Sequence, residues 1–105
     1  MERKIEVSTI TCLFCPPGKK PELRQISNKV EDIEVLLEGP LGIIELEEDG
    51  LCLLFNDIGE KKALDLNRVI KGDPIFGSCI FCRKVGDQLN SLTEEEIQEL
   101  EYLLS

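Results

Sequence analysis

Histidine is absent from this 105-residue chain, which removes the commonest general base and every Ser–His or Cys–His nucleophile arrangement. Neither a Gly-x-x-x-x-Gly-Lys-Ser/Thr nor a Gly-x-Gly-x-x-Gly segment occurs, so the backbone cradles that hold phosphates and dinucleotides are missing as well. No run approaches the about 20 apolar residues of a membrane-spanning helix. Met1-Glu2-Arg3-Lys4-Ile5 is not followed by the apolar core of a secretory signal. Basic residues are few, 12 against 21 acidic, for a formal charge of −9. A surface of that sign repels nucleic acid at long range and attracts proteins with basic grooves; keeping a small protein in solution is the plainer use of the same charge. These absences predict a non-enzymatic intracellular protein with no membrane contact.

Five cysteines stand against them. Four form two Cys-x-x-Cys pairs, Cys12/Cys15 and Cys79/Cys82, far apart in the chain. Four thiolates are the ligand set of a closed structural zinc site, and an odd cysteine count in an intracellular chain favours reduced thiols over a disulfide framework. The expectation is one structural Zn2+ held by Cys12, Cys15, Cys79 and Cys82, a site assembled by the tertiary fold because so much chain separates the pairs. A disulfide pair is the second reading. A redox pair is the third, since such motifs open a helix whose N-terminus lowers the thiol pKa, whereas Pro16-Pro17 and Arg83-Lys84 follow these pairs. Catalytic zinc is disfavoured because four protein thiolates leave no position for water. Cys52, in an apolar segment, reads as a buried small side chain. Lys19, Lys20, Arg83 and Lys84 flank the expected ligands. They read as compensation for thiolate charge or, in the alternative, as the phosphate-binding patch of a zinc-knuckle nucleic-acid regulator.

The local patterns predict a single α+β domain over residues 1–105, a small antiparallel sheet with two helices stapled by the four-cysteine zinc site. Residues 4–11 alternate as a strand with Ile5, Val7 and Thr9 on one side, and 16–21, with three prolines and a glycine, form a loop. A helix is expected with Asn28 as cap and Glu31 three residues on. Val30, Ile33 and Leu37 share its face, and Gly39-Pro40 stops it. Residues 42–48 and 51–56 read as a hairpin around Asp49-Gly50, the second strand apolar on both faces and therefore central. After a turn over 56–61, residues 63–66 read as a short strand, 67–70 as a helical turn and 74–82 as a strand entering the second cysteine pair. The last helix has Thr93 as cap, Glu96 three residues on, a Leu92–Ile97 staple, and Ile97, Leu100 and Leu104 as its apolar stripe. The acid runs at the hairpin and in the last helix's first turn read most simply as solvated surface.

Gly42-Ile43-Ile44-Glu45, Phe55-Asn56-Asp57-Ile58-Gly59-Glu60-Lys61, Leu66-Asn67-Arg68, Ile75-Phe76-Gly77 and Ser91-Leu92-Thr93-Glu94-Glu95 resemble a small family of unknown function carried by bacteriophages and mobile elements. The first cysteine pair falls outside that likeness. In size, acidity and cysteine content the chain is also similar to metal-binding anti-CRISPR proteins that inhibit type II CRISPR nucleases, a likeness of kind that carries no residue across. It implies a monomeric inhibitor in the cytoplasm of a bacterial host, docking on a basic nuclease surface to block nucleic-acid loading or activation. Such effectors hold their heteroduplex in positively charged channels. Candidate docking residues are Glu31, Asp32, Glu34 and Glu38 on the first expected helix and Glu45, Glu47, Glu48 and Asp49 at the hairpin.

Overall fold

Along residues 8–104, which the computed structural model describes, the chain runs β1 (Thr9–Cys15), β2 (Glu22–Ser27), α1 (Val30–Leu37), β3 (Leu41–Glu45), β4 (Leu51–Asn56), β5 (Leu66–Ile70), β6 (Asp73–Phe76), β7 (Cys79–Val85), β8 (Gln88–Asn90) and α2 (Glu94–Leu104). An antiparallel sheet has the spatial order β2-β1-β7-β4-β3, with β8 also against β7, and β5–β6 forms a separate ribbon. This is the expected α+β class with two helices, in a larger sheet than the local patterns predict.

Both faces of the sheet are covered. Cys52, Leu54, Ile80 and Cys82 pack with Ile33 and Leu37 of α1. Leu51, Leu53, Cys79 and Phe81 pack with Ile75 of β6 and Leu100 of α2. Burial on two sides explains why β4 and β7 read as continuous apolar runs rather than as alternation. β2 carries no such signal: only Ile26 is buried, and its pairing with β1 through the backbone makes it a strand.

α1 departs from its expected ends. Lys29, not Asn28, is the cap position and makes no side-chain capping bond; instead the Ser27 hydroxyl accepts from the Lys29 N–H at 3.1 Å. The left-handed residue that ends the helix is Glu38, φ 63°, not Gly39. Glycine is required at 39 for space, because a Cβ there would stand 2.5 Å from the Asn56 amide nitrogen. Asn56 is 3% exposed. Its Nδ2 donates to the Leu37 carbonyl and its Oδ1 accepts from the Ile58 N–H, both at 2.9 Å, so one side chain ties the end of α1 to the turn after β4.

The hairpin of β3 and β4 forms as expected with Gly50 at φ 115°, but its tip spans 46–50 rather than two residues. Ala63 is left-handed in a turn (φ 57°) where a strand was expected. Residues 67–70 are extended, not helical; Arg68, Val69 and Ile70 pair with β6, and Asn67 sits at an irregularity in the ladder. The expected strand over 74–82 is broken at Gly77-Ser78 into β6 and β7. Ile5 and Val7 lie outside the described residues. α2 forms as expected: the Thr93 hydroxyl accepts from the Glu96 N–H at 3.1 Å, and the Glu96 carboxylate accepts from the Thr93 N–H at 2.9 Å. Among the described residues no helix is long and apolar enough to cross a membrane.

Candidate functional site

β1 and β7 run antiparallel with Cys15 opposite Cys79 and Leu13 opposite Phe81, which brings Cys12 level with Cys82. Residues three apart in a strand point to opposite faces. Each Cys-x-x-Cys is therefore split by the sheet: Cys12, Cys52 and Cys82 enter the core on the α1 side, and Cys15 and Cys79 enter the core on the α2 side. A tetrahedral zinc needs all its sulfurs about 2.3 Å from one point, and the backbone of two strands separates the halves of this set. Cys12, Cys15, Cys79 and Cys82 do not fit a single ion as this fold places them, a departure from the expected four-cysteine staple. The spacing allowed knuckles following two strands; instead both strands run through their cysteines. Among the described residues no group of three or more Cys, Asp or Glu is placed to hold a metal ion.

The register brings together two cross-strand pairs instead. Cys52 lies directly opposite Cys82, with the sulfurs 3.8 Å apart. Cys15 lies directly opposite Cys79, close enough for each thiol to shift the other's proton affinity. All five cysteines are buried free thiols. Cys79 and Cys82 are pushed far above the ordinary thiol range, first by the partner thiol opposite each and then by burial. The same pairing draws Cys15 and Cys52 down, because a thiolate there is stabilised by the S–H opposite it. Burial pushes Cys12 up to about 12 against the pull of the Arg24 guanidinium. Asn67 of β5 braces the first pair: its Nδ2 donates to the Cys15 carbonyl at 2.7 Å and the Gly77 carbonyl at 2.9 Å, with the Cys79 sulfur at 3.7 Å.

The acidic residues divide as well. Glu31, Asp32, Glu34 and Glu38 belong to the α1 side. Glu34 is occupied there, its carboxylate accepting from the Leu41 N–H at 2.8 Å. Glu47 and Asp49, at the β3–β4 tip, meet Glu95, Glu96 and Glu99 of α2 around a groove of about 470 Å³ with Arg83 in its wall. Glu45 and Glu48 border a second, smaller hollow with Lys71. Sequence reasoning missed these α2 acids because the first-turn glutamates Glu95 and Glu96 are accounted for by the helix dipole and Glu99 by a solvated helix face; only the approach of the hairpin tip joins them to Glu47 and Asp49. Arg83 is engaged within the groove, pairing with Glu96 at 2.5 Å and donating to the Asp49 carbonyl. Lys19 and Lys20 follow the Cys15 end of β1, beside Cys79, whereas Arg83 lies four residues further along β7, about 13 Å away. The four cations do not form one patch.

No curated protein and no solved structure matches this chain. A family match takes in residues 10–105, the first cysteine pair included. It covers nearly every element described above, both thiol pairs and the acidic groove. The chain belongs to the family described as a domain of unknown function, DUF3846.

Proposed function

We propose that this protein is a non-enzymatic docking protein that engages a basic surface of a partner protein through the groove between the β3–β4 tip and α2. The observation that supports this reading is the convergence of Glu47, Asp49, Glu95, Glu96 and Glu99 on one groove, where Arg83, the one cation in its wall among the described residues, is already paired with Glu96. Negative potential of that kind steers association with a positive partner and disfavours nucleic acid. The α1 acids lie over the other face of the sheet, so a partner seated on the groove does not use them. The finer reading is a phage or mobile-element inhibitor, monomeric in the cytoplasm of a bacterial host, whose partner is an RNA-guided type II nuclease with a positively charged nucleic-acid channel.

The test is stopped-flow association with a purified effector of that class. Replacing Glu47, Asp49, Glu95 and Glu99 by lysine is expected to slow association at least about tenfold at low salt and to flatten its salt dependence. The Glu31→Lys/Asp32→Lys protein should associate at the wild-type rate. Equal rates for all three would remove this face from the reading. Tight, salt-sensitive binding of single- or double-stranded nucleic acid in a gel-shift titration would favour the nucleic-acid regulator instead.

A further inference from the structure

We infer that the central strand carries two disulfide-forming sites, Cys15–Cys79 and Cys52–Cys82, that bond β7 covalently to both its neighbours under oxidising conditions and leave Cys12 as a free thiol. The inference goes beyond the docking role and does not depend on it.

Directly opposed residues on antiparallel strands have Cα atoms about 4.5–5.5 Å apart and side chains on the same face. Disulfides span Cα separations of about 4.4–6.8 Å. Both pairs meet that condition by register. The Cys52 and Cys82 sulfurs, at 3.8 Å, need only approach by side-chain rotation to reach a bond of about 2.05 Å. Pairing within either Cys-x-x-Cys is excluded by the same geometry. Three residues of strand set those Cα atoms roughly 10 Å apart with the side chains on opposite faces, beyond the limit of about 7 Å. Cys82 has two cysteines level with it, Cys52 on β4 and Cys12 on β1, and its sulfur contact is to Cys52.

The oxidant is a small-molecule disulfide such as oxidised glutathione. The Cys52 thiolate attacks one of its sulfurs and releases one small thiolate. Cys82, its proton passed to water, then attacks the Cys52 sulfur of the mixed disulfide and releases the second. The protein loses two protons and two electrons per bridge, and the small disulfide is reduced to two thiols. Cys15 and Cys79 react likewise. The attacking roles fall to Cys52 and Cys15, whose thiolates are favoured over those of their partners. Because all four sulfurs are buried, the exchange in folded protein waits on opening of the strands. In a reducing compartment the pairs rest as dithiols.

The experiment equilibrates the full reduced chain, and in parallel the chain refolding from denaturant, with glutathione buffers of increasing oxidised fraction. Samples are quenched with acid, alkylated under denaturing conditions and mapped as unreduced peptides. The expected result is linkage of the Cys15 peptide to the Cys79 peptide and of Cys52 to Cys82, with Cys12 alkylated. The oxidised form should melt roughly 10 °C or more above the reduced form. Cys52→Ala should abolish the second linkage and keep the first, and the wild-type map stands whether or not that variant folds. Linkage within a Cys-x-x-Cys, linkage of Cys12 to Cys82, or thiols left wholly alkylated at the most oxidising poise would each overturn the assignment.

Discussion

Asn56 joins two elements through one amide, donating to the last turn of α1 and accepting from the turn after β4. Replacing it by alanine leaves a buried carbonyl and an N–H unpaired, and the protein should lose about 2–3 kcal/mol in urea unfolding. Asn56→Asp should lose at least as much, since it sets a carboxylate against the Leu37 carbonyl, whereas a loss below about 0.5 kcal/mol would contradict this role. The sequence marks Asn56 as a turn residue and no more, because its second partner is 19 positions away. Gly39 has the same history. It reads as the left-handed stop of a helix, yet Glu38 adopts that conformation and Gly39 is kept small by the Asn56 side chain. Cys52 is read correctly as a buried side chain, but its partner is set by the β4–β7 register alone.

α2 is the element whose sequence and structure agree most closely, because a capping box acts across three residues and depends on nothing distant. Thr93→Ala should weaken the fold by about 1 kcal/mol. Glu96→Ala should weaken it more, since one oxygen of that carboxylate caps Thr93 and the other pairs with half-buried Arg83; equal losses in urea titrations would separate the Arg83 pair from stability. β5 shows the opposite case. Asn67-Arg68-Val69-Ile70 can be read as a helical turn, and pairing with β6 across the turn at Lys71-Gly72 makes it extended. β2, polar but for Ile26 and Leu23, has no periodicity to betray a strand and owes its state to β1.

At the scale of the whole molecule, the buried thiols link folding to alkaline pH. Cys12 keeps its proton to about 12 in the folded protein, whereas in the unfolded chain a thiol releases it near 9.0. Between those values the unfolded state binds fewer protons, so stability is fully present below about 9 and falls as pH rises, by about 1.4 kcal/mol per pH unit for each such thiol. Cys79 and Cys82, also raised, add to the loss. Cys15 and Cys52, drawn down, contribute stability that rises with pH until about 9 and then stays level, leaving the decline above that point unopposed. Urea midpoints of reduced protein measured from about pH 8 to 11 should pass a maximum near 9 and then drop. Cys12→Val should make the descent shallower, and a flat profile above pH 9 would contradict the burial of these groups as thiols.

The chain's own chemistry settles whatever depends on neighbours a few residues apart. The acidic balance, the α+β class, the start of α2, the β3–β4 hairpin and the two-sided burial of β4 all follow from local pattern and composition. Which cysteines face one another does not. Spacing along a chain carries no record of which face a side chain takes once both motifs lie inside strands, and a period of two sends residues three apart to opposite sides. The packing of β7 between β1 and β4 sorted the four motif cysteines onto two faces and gave Cys82 a partner in Cys52. The fold of the hairpin tip against α2 likewise made one acidic groove from two separate runs, because charges distant in sequence share a field only after the elements that bear them have packed.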